Sequence, residues 1–231
     1  MRFHLLCAGR QGREAPLGTR DDEAIQGGEL SGASRGRVAA LVLAAGSSSR
    51  LGSNKLLIEL DGEPVVRRAA RPALEAGLAP VIVVLGFEAD RVAAAIEGLP
   101  VETALNQRHA EGIHTSVQAG LDRVGERTDA AIVILADMPL VTPLMLRELV
   151  ARFRGGAPIV ISRYGEIQAP PTLYARSLFP ALSTGGEGCG RRVIREHSDL
   201  VTALDWSPEL LADLDRPEDI ARVRALVTES G

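Results

Sequence analysis

A doubly wound α/β fold with a mostly parallel sheet is what this sequence predicts, and three observations carry that reading. Apolar runs of strand length recur along the chain. Stretches with apolar residues three and four apart separate them. The apolar content is also aliphatic: hydrophobic residues make up 45% of the 231 and aromatics only 3%. Val, Leu, Ile and Ala must therefore fill the core, as they do where parallel strands are covered by helices on both faces.

Taken in chain order, residues 1–37 read as a flexible leader. From Gly9 to Arg37 the chain is rich in Gly, Arg, Ser, Asp and Glu without an apolar period, and it cannot bury enough surface to repay ordering. An over-long start assignment is the other reading of this stretch. The pattern changes at Val38, and one domain is expected over 38–228. Val38–Ala44, Pro80–Leu85, Ala130–Leu135 and Pro158–Ser162 are continuous apolar runs that predict buried strands. Helical spacing falls between them, over Pro64–Ala76, Ala89–Glu97, Thr115–Val124 and Pro143–Arg154, and two of these open on a proline suited to a first helical turn. No internal repeat and no second compositional regime interrupts the alternation.

Composition also excludes several function classes. With 26 basic and 30 acidic residues and a net charge of -4, there is no reason to expect a groove for nucleic acid. Cys7 and Cys189 lie far apart without metal-ligand spacing and read as two reduced thiols. No apolar run reaches the roughly 18 residues of a membrane span, and the apolar stretch near Met1 is too short for a signal peptide. The expected location is cytoplasmic.

In sheets of this kind ligands bind beyond the carboxyl ends of the strands. That rule selects the loop after Ala44, the loop after Leu105, and Asp137 after the strand ending at Leu135. The first reads Ala45-Gly-Ser-Ser-Ser-Arg-Leu-Gly-Ser-Asn-Lys55. It is not a Walker A loop, because Gly52 is followed by Ser53, Asn54 and Lys55, and it lacks the dinucleotide G-x-G-x-x-G spacing. The ingredients for a triphosphate are nonetheless present. Gly46 and Gly52 let backbone amides approach oxygens closely, the serines add small donors, and Arg50 and Lys55 add two positive charges. Asp137, directly after an apolar strand, is well placed to hold Mg²⁺ against phosphates, or else to act as a turn or cap residue.

The order of these residues adds to that reading. Leu43-Ala-Ala-Gly-x-Ser-x-Arg-Leu-Gly-x-x-Lys55 resembles the signature of the MobA-like nucleotidyltransferases, and specifically the molybdenum cofactor cytidylyltransferase branch. The resemblance continues through Asn106-x5-Gly112-x3-Ser116-x3-Gly120-Leu121, Leu135-Ala-Asp-Met-Pro139, Gln168-Ala-Pro-Pro-Thr-Leu-Tyr174 with Arg176-Ser-Leu-Phe-Pro180, and Asp213-Leu-Asp-Arg-Pro-Glu-Asp219. It implies a Rossmann-like fold of the nucleotide-diphospho-sugar transferase type and a Mg²⁺-dependent transfer of CMP from CTP to a molybdopterin-type phosphate, releasing pyrophosphate. Arg50, Lys55 and Asp137 are then the catalytic set. Leu43, Ala44, Ala45, Gly46, Ser47, Arg50, Lys55, Asn106, Gly112 and Ser116 are expected to bind the nucleotide. Asp137 and Asp213 are expected to hold the metal, with Asp215 the alternative to Asp213 and equally suited to cap the last helix.

His109 and His114 invite a general-base role that the chemistry does not need, since an acceptor phosphate is already ionised at neutral pH. Ala45 matters for the base: Leu-Ala-Ala-Gly resembles the cytidylyl branch, where Leu-Ala-Gly-Gly accompanies guanylyl transfer. Two departures bear on the acceptor. The run Gly186-Glu-Gly-Cys-Gly-Arg-Arg192 has Glu187 and Gly190 where the family has Asp and Ala, and Gln168-Ala169 stand ahead of the Pro-Pro pair. Arg191 and Arg192 suit either an anionic acceptor or an exposed helix face. The alternatives are guanylyl transfer to the same cofactor, transfer to a sugar phosphate or other small phosphate, and, in another class, a carrier that delivers cofactor to a molybdenum hydroxylase without turnover.

Overall fold

β1 (Val38–Ala44) is buried at every position and lies between two parallel neighbours, β4 (Val81–Leu85) and β6 (Ala130–Leu135). That explains its unbroken apolar sequence: a strand paired on both edges and covered on both faces has no solvent side to reward alternation. The structure is a computed structural model, and it describes residues 36–46, 54–184, 186, 188–212, 214 and 217–229. Expectations for the leader, for Ser47 and Arg50, and for Asp213 and Asp215 lie outside those residues.

After β1 come a short hairpin, β2 (Glu59–Leu60) with β3 (Glu63–Pro64), then α1 (Val65–Glu75), β4 (Val81–Leu85), α2 (Ala89–Ala95), β5 (Glu102–Leu105) and α3 (Ile113–Leu121). β6 (Ala130–Leu135), α4 (Pro143–Arg154), β7 (Ile159–Tyr164), β8 (Ile167–Ala175), α5 (Phe179–Thr184), α6 (Cys189–Glu196), β9 (Val201–Trp206) and α7 (Pro217–Glu229) follow. Among the described residues the main sheet has seven strands in the order β5-β4-β1-β6-β8-β7-β9. All run the same way except β8, which is antiparallel to both β6 and β7. The reason is local: Gly165 and Glu166 join β7 to β8 with Tyr164 opposite Ile167, and so short a connection permits only an antiparallel pair.

The period of two in β1 sorts its side chains onto two cores. Ala40, Val42 and Ala44 pack with Val65, Val66 and Ala69 of α1 and Met145, Leu146 and Leu149 of α4. Ala39, Leu41 and Leu43 pack with Val117 and Leu121 of α3, Leu182 of α5 and Val193 of α6. Each fully buried Leu or Val among these contributes about 1.5–3 kcal/mol relative to exposure. α4 begins as its sequence predicts, with Pro143 in the first turn and Thr142 Oγ1 accepting from Met145 N at 3.3 Å.

Several boundaries differ from the sequence reading. The strand expected over Pro158–Ser162 extends to Tyr164, and the helix expected from Thr115 starts at Ile113. The Pro-Pro segment is strand, inside β8. Proline donates no N–H to a ladder, and the register of β7 with β8 shifts between Val160 and Ser162. Side chains satisfy the carbonyls there: Ser162 Oγ donates to Pro171 O at 2.7 Å, and Tyr164 OH donates to Pro170 O at 3.0 Å.

Candidate functional site

The carboxyl ends of β1 and β6 lie side by side. Leu43 is opposite Leu135 in register, and Ala136 N donates to Leu43 O at 3.1 Å, carrying that pairing one residue past β6. Asp137 therefore emerges next to the start of the glycine-rich loop. The far end of that loop returns through Asn54, whose Oδ1 accepts from Leu56 N at 3.1 Å and caps a single 3-10 turn, Lys55–Leu57. Leu56 is buried and anchors the turn in the core. The result is an ion pair with Lys55 Nζ 2.6 Å from Asp137 Oδ2, the side chains 13% and 20% exposed.

This pair opens onto a cavity of about 210 Å³ lined by Leu43, Ala45, Gly46, Lys55, Leu56, His109, Ile113, Ser116, Leu135 and Asp137. Six of the residues expected at the site, Leu43, Ala45, Gly46, Lys55, Ser116 and Asp137, are brought together there. A larger open groove of about 530 Å³ involves Pro158 and Leu200 to Thr202, beside the amino ends of β7 and β9, on the opposite edge from where a doubly wound sheet binds ligand.

Other expected residues serve the site indirectly. Ala44 is fully buried and packs into the core below the cavity. Asn106, expected near the nucleotide, is not among the residues lining this cavity, and its side chain is committed inside the protein. Nδ2 donates to Thr115 Oγ1 at 2.8 Å and to Ser116 Oγ at 2.9 Å, while Oδ1 accepts from Arg108 N at 2.9 Å. Asn106 thus ties the end of β5 to the first turn of α3 and sets the position of Ser116. Gly112 sits just ahead of α3 at φ 119 and ψ 167, a conformation glycine adopts without strain. Of the two histidines, His109 lines the cavity and His114 does not. Arg192 reaches Ala181 O at 3.0 Å and Glu196 at 3.7 Å, so it braces α6 against α5, while Arg191 is exposed.

Three features escaped the sequence reading. Gly86, just after β4, has no side chain because there is no room for one: a Cβ would lie 2.7 Å from both Ala45 Cβ and His109 Cβ. Gly190, where the family has alanine, faces Tyr174, whose hydroxyl would lie 2.9 Å from an added Cβ; that departure is packing. Burial also pushes the Tyr174 phenol and the Cys189 thiol above their ordinary ranges. The third was countable: of 26 basic side chains, Lys55 is the one lysine. An ammonium is a compact point charge that a planar guanidinium does not reproduce.

Asp137 suits a hard divalent cation. Mg²⁺ takes oxygen ligands, needs only one or two carboxylates, and leaves other positions to water and substrate phosphates. No cluster of three or more His, Cys, Asp or Glu able to hold a metal occurs among the described residues. No helix among them is long and apolar enough to cross a membrane.

Comparison with known proteins agrees with this geometry. The profile of the MobA-like NTP transferase domain matches residues 40–201, and the chain belongs to that family. A bifunctional protein GlmU from Sorangium cellulosum is 35% identical over 69% of this chain, which spans 34% of that relative's length. A molybdenum cofactor guanylyltransferase from Rhodobacter capsulatus is 28% identical over 80% of this chain and 94% of its own. A nicotine blue oxidoreductase from Paenarthrobacter nicotinovorans is 28% identical over 80% and 96%. Among solved structures, a homologue of Mycobacterium tuberculosis Rv0371c from Mycobacterium sp. strain JC1 superposes with a TM-score of 0.74 at 26% identity, covering 84% of this chain and 98% of its own. Rv0371c in complex with manganese shares the fold, with a TM-score of 0.69 at 24% identity over 82% and 98%.

Proposed function

We propose that the chain transfers CMP from CTP to the terminal phosphate of a molybdopterin-type cofactor, with release of pyrophosphate and with Mg²⁺ held at Asp137. The observation that carries this reading is the Lys55–Asp137 pair, 2.6 Å apart, where β1 and β6 end. A cation and a carboxylate side by side, at the two described ends of a glycine-rich segment, match the two needs of a polyphosphate substrate: charge neutralisation and a divalent-ion ligand.

In this scheme Lys55 exchanges Asp137 for phosphate when substrate enters and, with Arg50, neutralises the charge that develops on the leaving pyrophosphate. Asp137, with Asp213 as its companion, would hold Mg²⁺, which would supply positive charge to offset that of the triphosphate. The acceptor phosphate attacks in line without a general base, so His109 acts as a wall of the cavity. Leu43, Ala45, Gly46 and Ser116 frame the nucleotide, and Asn106 and Gly112 hold Ser116 in place. Ala45 supports cytidine over guanosine. Its methyl group packs toward Gly86, so the base pocket is narrowed by Ala45, Gly86 and His109 acting together.

The test is pyrophosphate release from purified protein given Mg²⁺, molybdopterin-type cofactor and each of the four NTPs in turn, with Asp137→Ala as control. Release with CTP alone, abolished in the variant, is expected. Release mainly with GTP would replace the base assignment and align the chain with its guanylyltransferase relative. Release only with a sugar phosphate as acceptor would replace the cofactor assignment. Nucleotide binding without any release would favour a carrier for a molybdenum hydroxylase.

A further inference from the structure

The turn that follows β4 touches the near end of the glycine-rich loop, and the helix it leads into packs against the Lys55–Leu57 turn at the far end. At the near end, Gly86 lies against Ala45, and Phe87 N donates to Ala45 O at 3.3 Å. At the far end the partner is Asn54. Its side chain is buried at 4% exposure, its Oδ1 caps the turn that carries Lys55, and its Nδ2 is sequestered from solvent without a hydrogen bond of good geometry. Glu88 presents the complementary orphan. One carboxylate oxygen, Oε1, binds Arg91 at 2.6 Å; the other, Oε2, is buried and likewise has no such bond among the described residues. The helix that Glu88 precedes packs against the Lys55–Leu57 turn that Asn54 precedes, so a buried donor and a buried acceptor lie at the starts of two packed elements. Arg91, and then the Asn54 amide, draw the Glu88 carboxyl below its usual range.

The backbone adds a second, independent observation. Glu88 adopts φ 50 and ψ 41, left-handed, and is one of two non-glycine residues with positive φ among those described. A glycine there would be unstrained, and strain retained at a side-chain-bearing residue beside a functional loop is characteristic of a positioning role.

We propose that Gly86-Phe87-Glu88 is a clasp that fixes the glycine-rich loop at both ends, and that Glu88, through Asn54, is a positioning residue for Lys55. The proposal rests on the reading of Lys55 as a phosphate ligand. Gly86 and Phe87 hold the start of the loop by packing and one backbone hydrogen bond. Glu88 holds its end by giving the Asn54 amide an acceptor, so that the same asparagine caps the Lys55 turn with its oxygen while its nitrogen stays anchored. Arg91 orients the Glu88 carboxylate but is not itself the contact.

The test exploits the single lysine. On the full chain, the rate at which an amine-reactive ester modifies Lys55 is followed by peptide mass spectrometry, alongside the affinity for Mg²⁺–tripolyphosphate, a probe without a base. Glu88→Ala is expected to raise the Lys55 modification rate and weaken tripolyphosphate binding, each by about fivefold, the scale of one net hydrogen bond. Glu88→Gln retains an oxygen for Asn54 and should restore both to wild type, and Arg91→Ala should leave both near wild type. Glu88→Gly separates positioning from folding: it should melt no lower than wild type yet behave as Glu88→Ala does in both assays. Normal tripolyphosphate binding and Lys55 reactivity in Glu88→Ala would overturn the clasp and leave the phosphate reading intact. The full effect appearing in Arg91→Ala would overturn it also. A wild-type chain that ignores tripolyphosphate, while its Lys55 reactivity still answers to Glu88, would support the clasp and overturn the phosphate reading.

Discussion

Replacing Gly86 by alanine probes the tightest described contact around the cavity. The added Cβ would lie 2.7 Å from Ala45 Cβ, 2.7 Å from His109 Cβ and 2.9 Å from Ala45 O. Carbon atoms rest at about 3.5–4.0 Å, so the two neighbours must retreat by about 1 Å each or the end of β4 must shift as a whole. Neither neighbour is a flexible side-chain tip: one is the methyl and carbonyl of the residue directly after β1, and the other is the first carbon of a side chain on the short turn His109–Glu111. Overpacking of this kind costs about 1–3 kcal/mol, which for a chain of this length lowers Tm by roughly 2–12 °C. Both neighbours line the cavity, and a displacement near 1 Å reduces kcat/KM for the nucleotide by about ten- to a hundredfold. Thermal unfolding and pyrophosphate-release kinetics would be measured together. Gly125→Ala is the matched control, because its Cβ would meet nothing within 4 Å; it should stay within about 0.5 kcal/mol of wild type. A Gly86→Ala protein indistinguishable from that control would refute the argument that the absent side chain sets the cavity wall.

Three further outcomes are expected. Asn106→Ala strands the Arg108 amide and unties Ser116 in one step, while Thr115 keeps its bonds to the Arg108 and Gly112 carbonyls. Chemical denaturation should therefore show a loss of about 1–3 kcal/mol, with a raised KM for nucleotide because Ser116 loses its tether. Gly112→Ala forces a Cβ onto φ 119 and should cost about 1–3 kcal/mol in the same assay. Gly190→Ala meets the Tyr174 hydroxyl at 2.9 Å and should lower Tm, whereas Tyr174→Phe in that background should recover part of the loss. A double mutant no more stable than Gly190→Ala alone would remove the packing explanation for the glycine.

The sheet's centre was legible because its physics is local. β1, β4 and β6 are buried on both faces, so their apolar runs state their own boundaries to within a residue. The rule that ligands gather beyond strand carboxyl ends then selected the loop that leads to Lys55, the loop after Leu105, and Asp137, while Ser116 came from the family resemblance. What could not be read was fixed by neighbours distant in sequence. β9 is only partly buried at the sheet's edge and lacks an unbroken apolar run. β8 carries two prolines that argue against a strand until Ser162 and Tyr164 are seen to satisfy their carbonyls. Asn106 and Ser116 were rightly linked to one region, but an asparagine at a strand end looks the same whether it faces a nucleotide or a helix terminus. Gly86 looks like an ordinary turn glycine in one dimension, and Gly190 stood out only as a departure from the family pattern, because each is required by a side chain brought to it by the fold. The single lysine was visible in the composition and needed only to be counted separately from the arginines.

The most direct measurement of the central claim uses that lysine. Wild-type protein would be treated with an amine-reactive ester in the presence and absence of Mg²⁺ and CTP, and modification of Lys55 quantified by peptide mass spectrometry. If the cleft at the ends of β1 and β6 receives the triphosphate, saturating Mg²⁺–CTP should slow Lys55 modification at least about tenfold, GTP should protect less, and Asp137→Ala should lose the magnesium-dependent part of the protection. Equal modification of Lys55 with and without nucleotide, under conditions where the protein demonstrably binds CTP, would contradict the account by placing the triphosphate elsewhere.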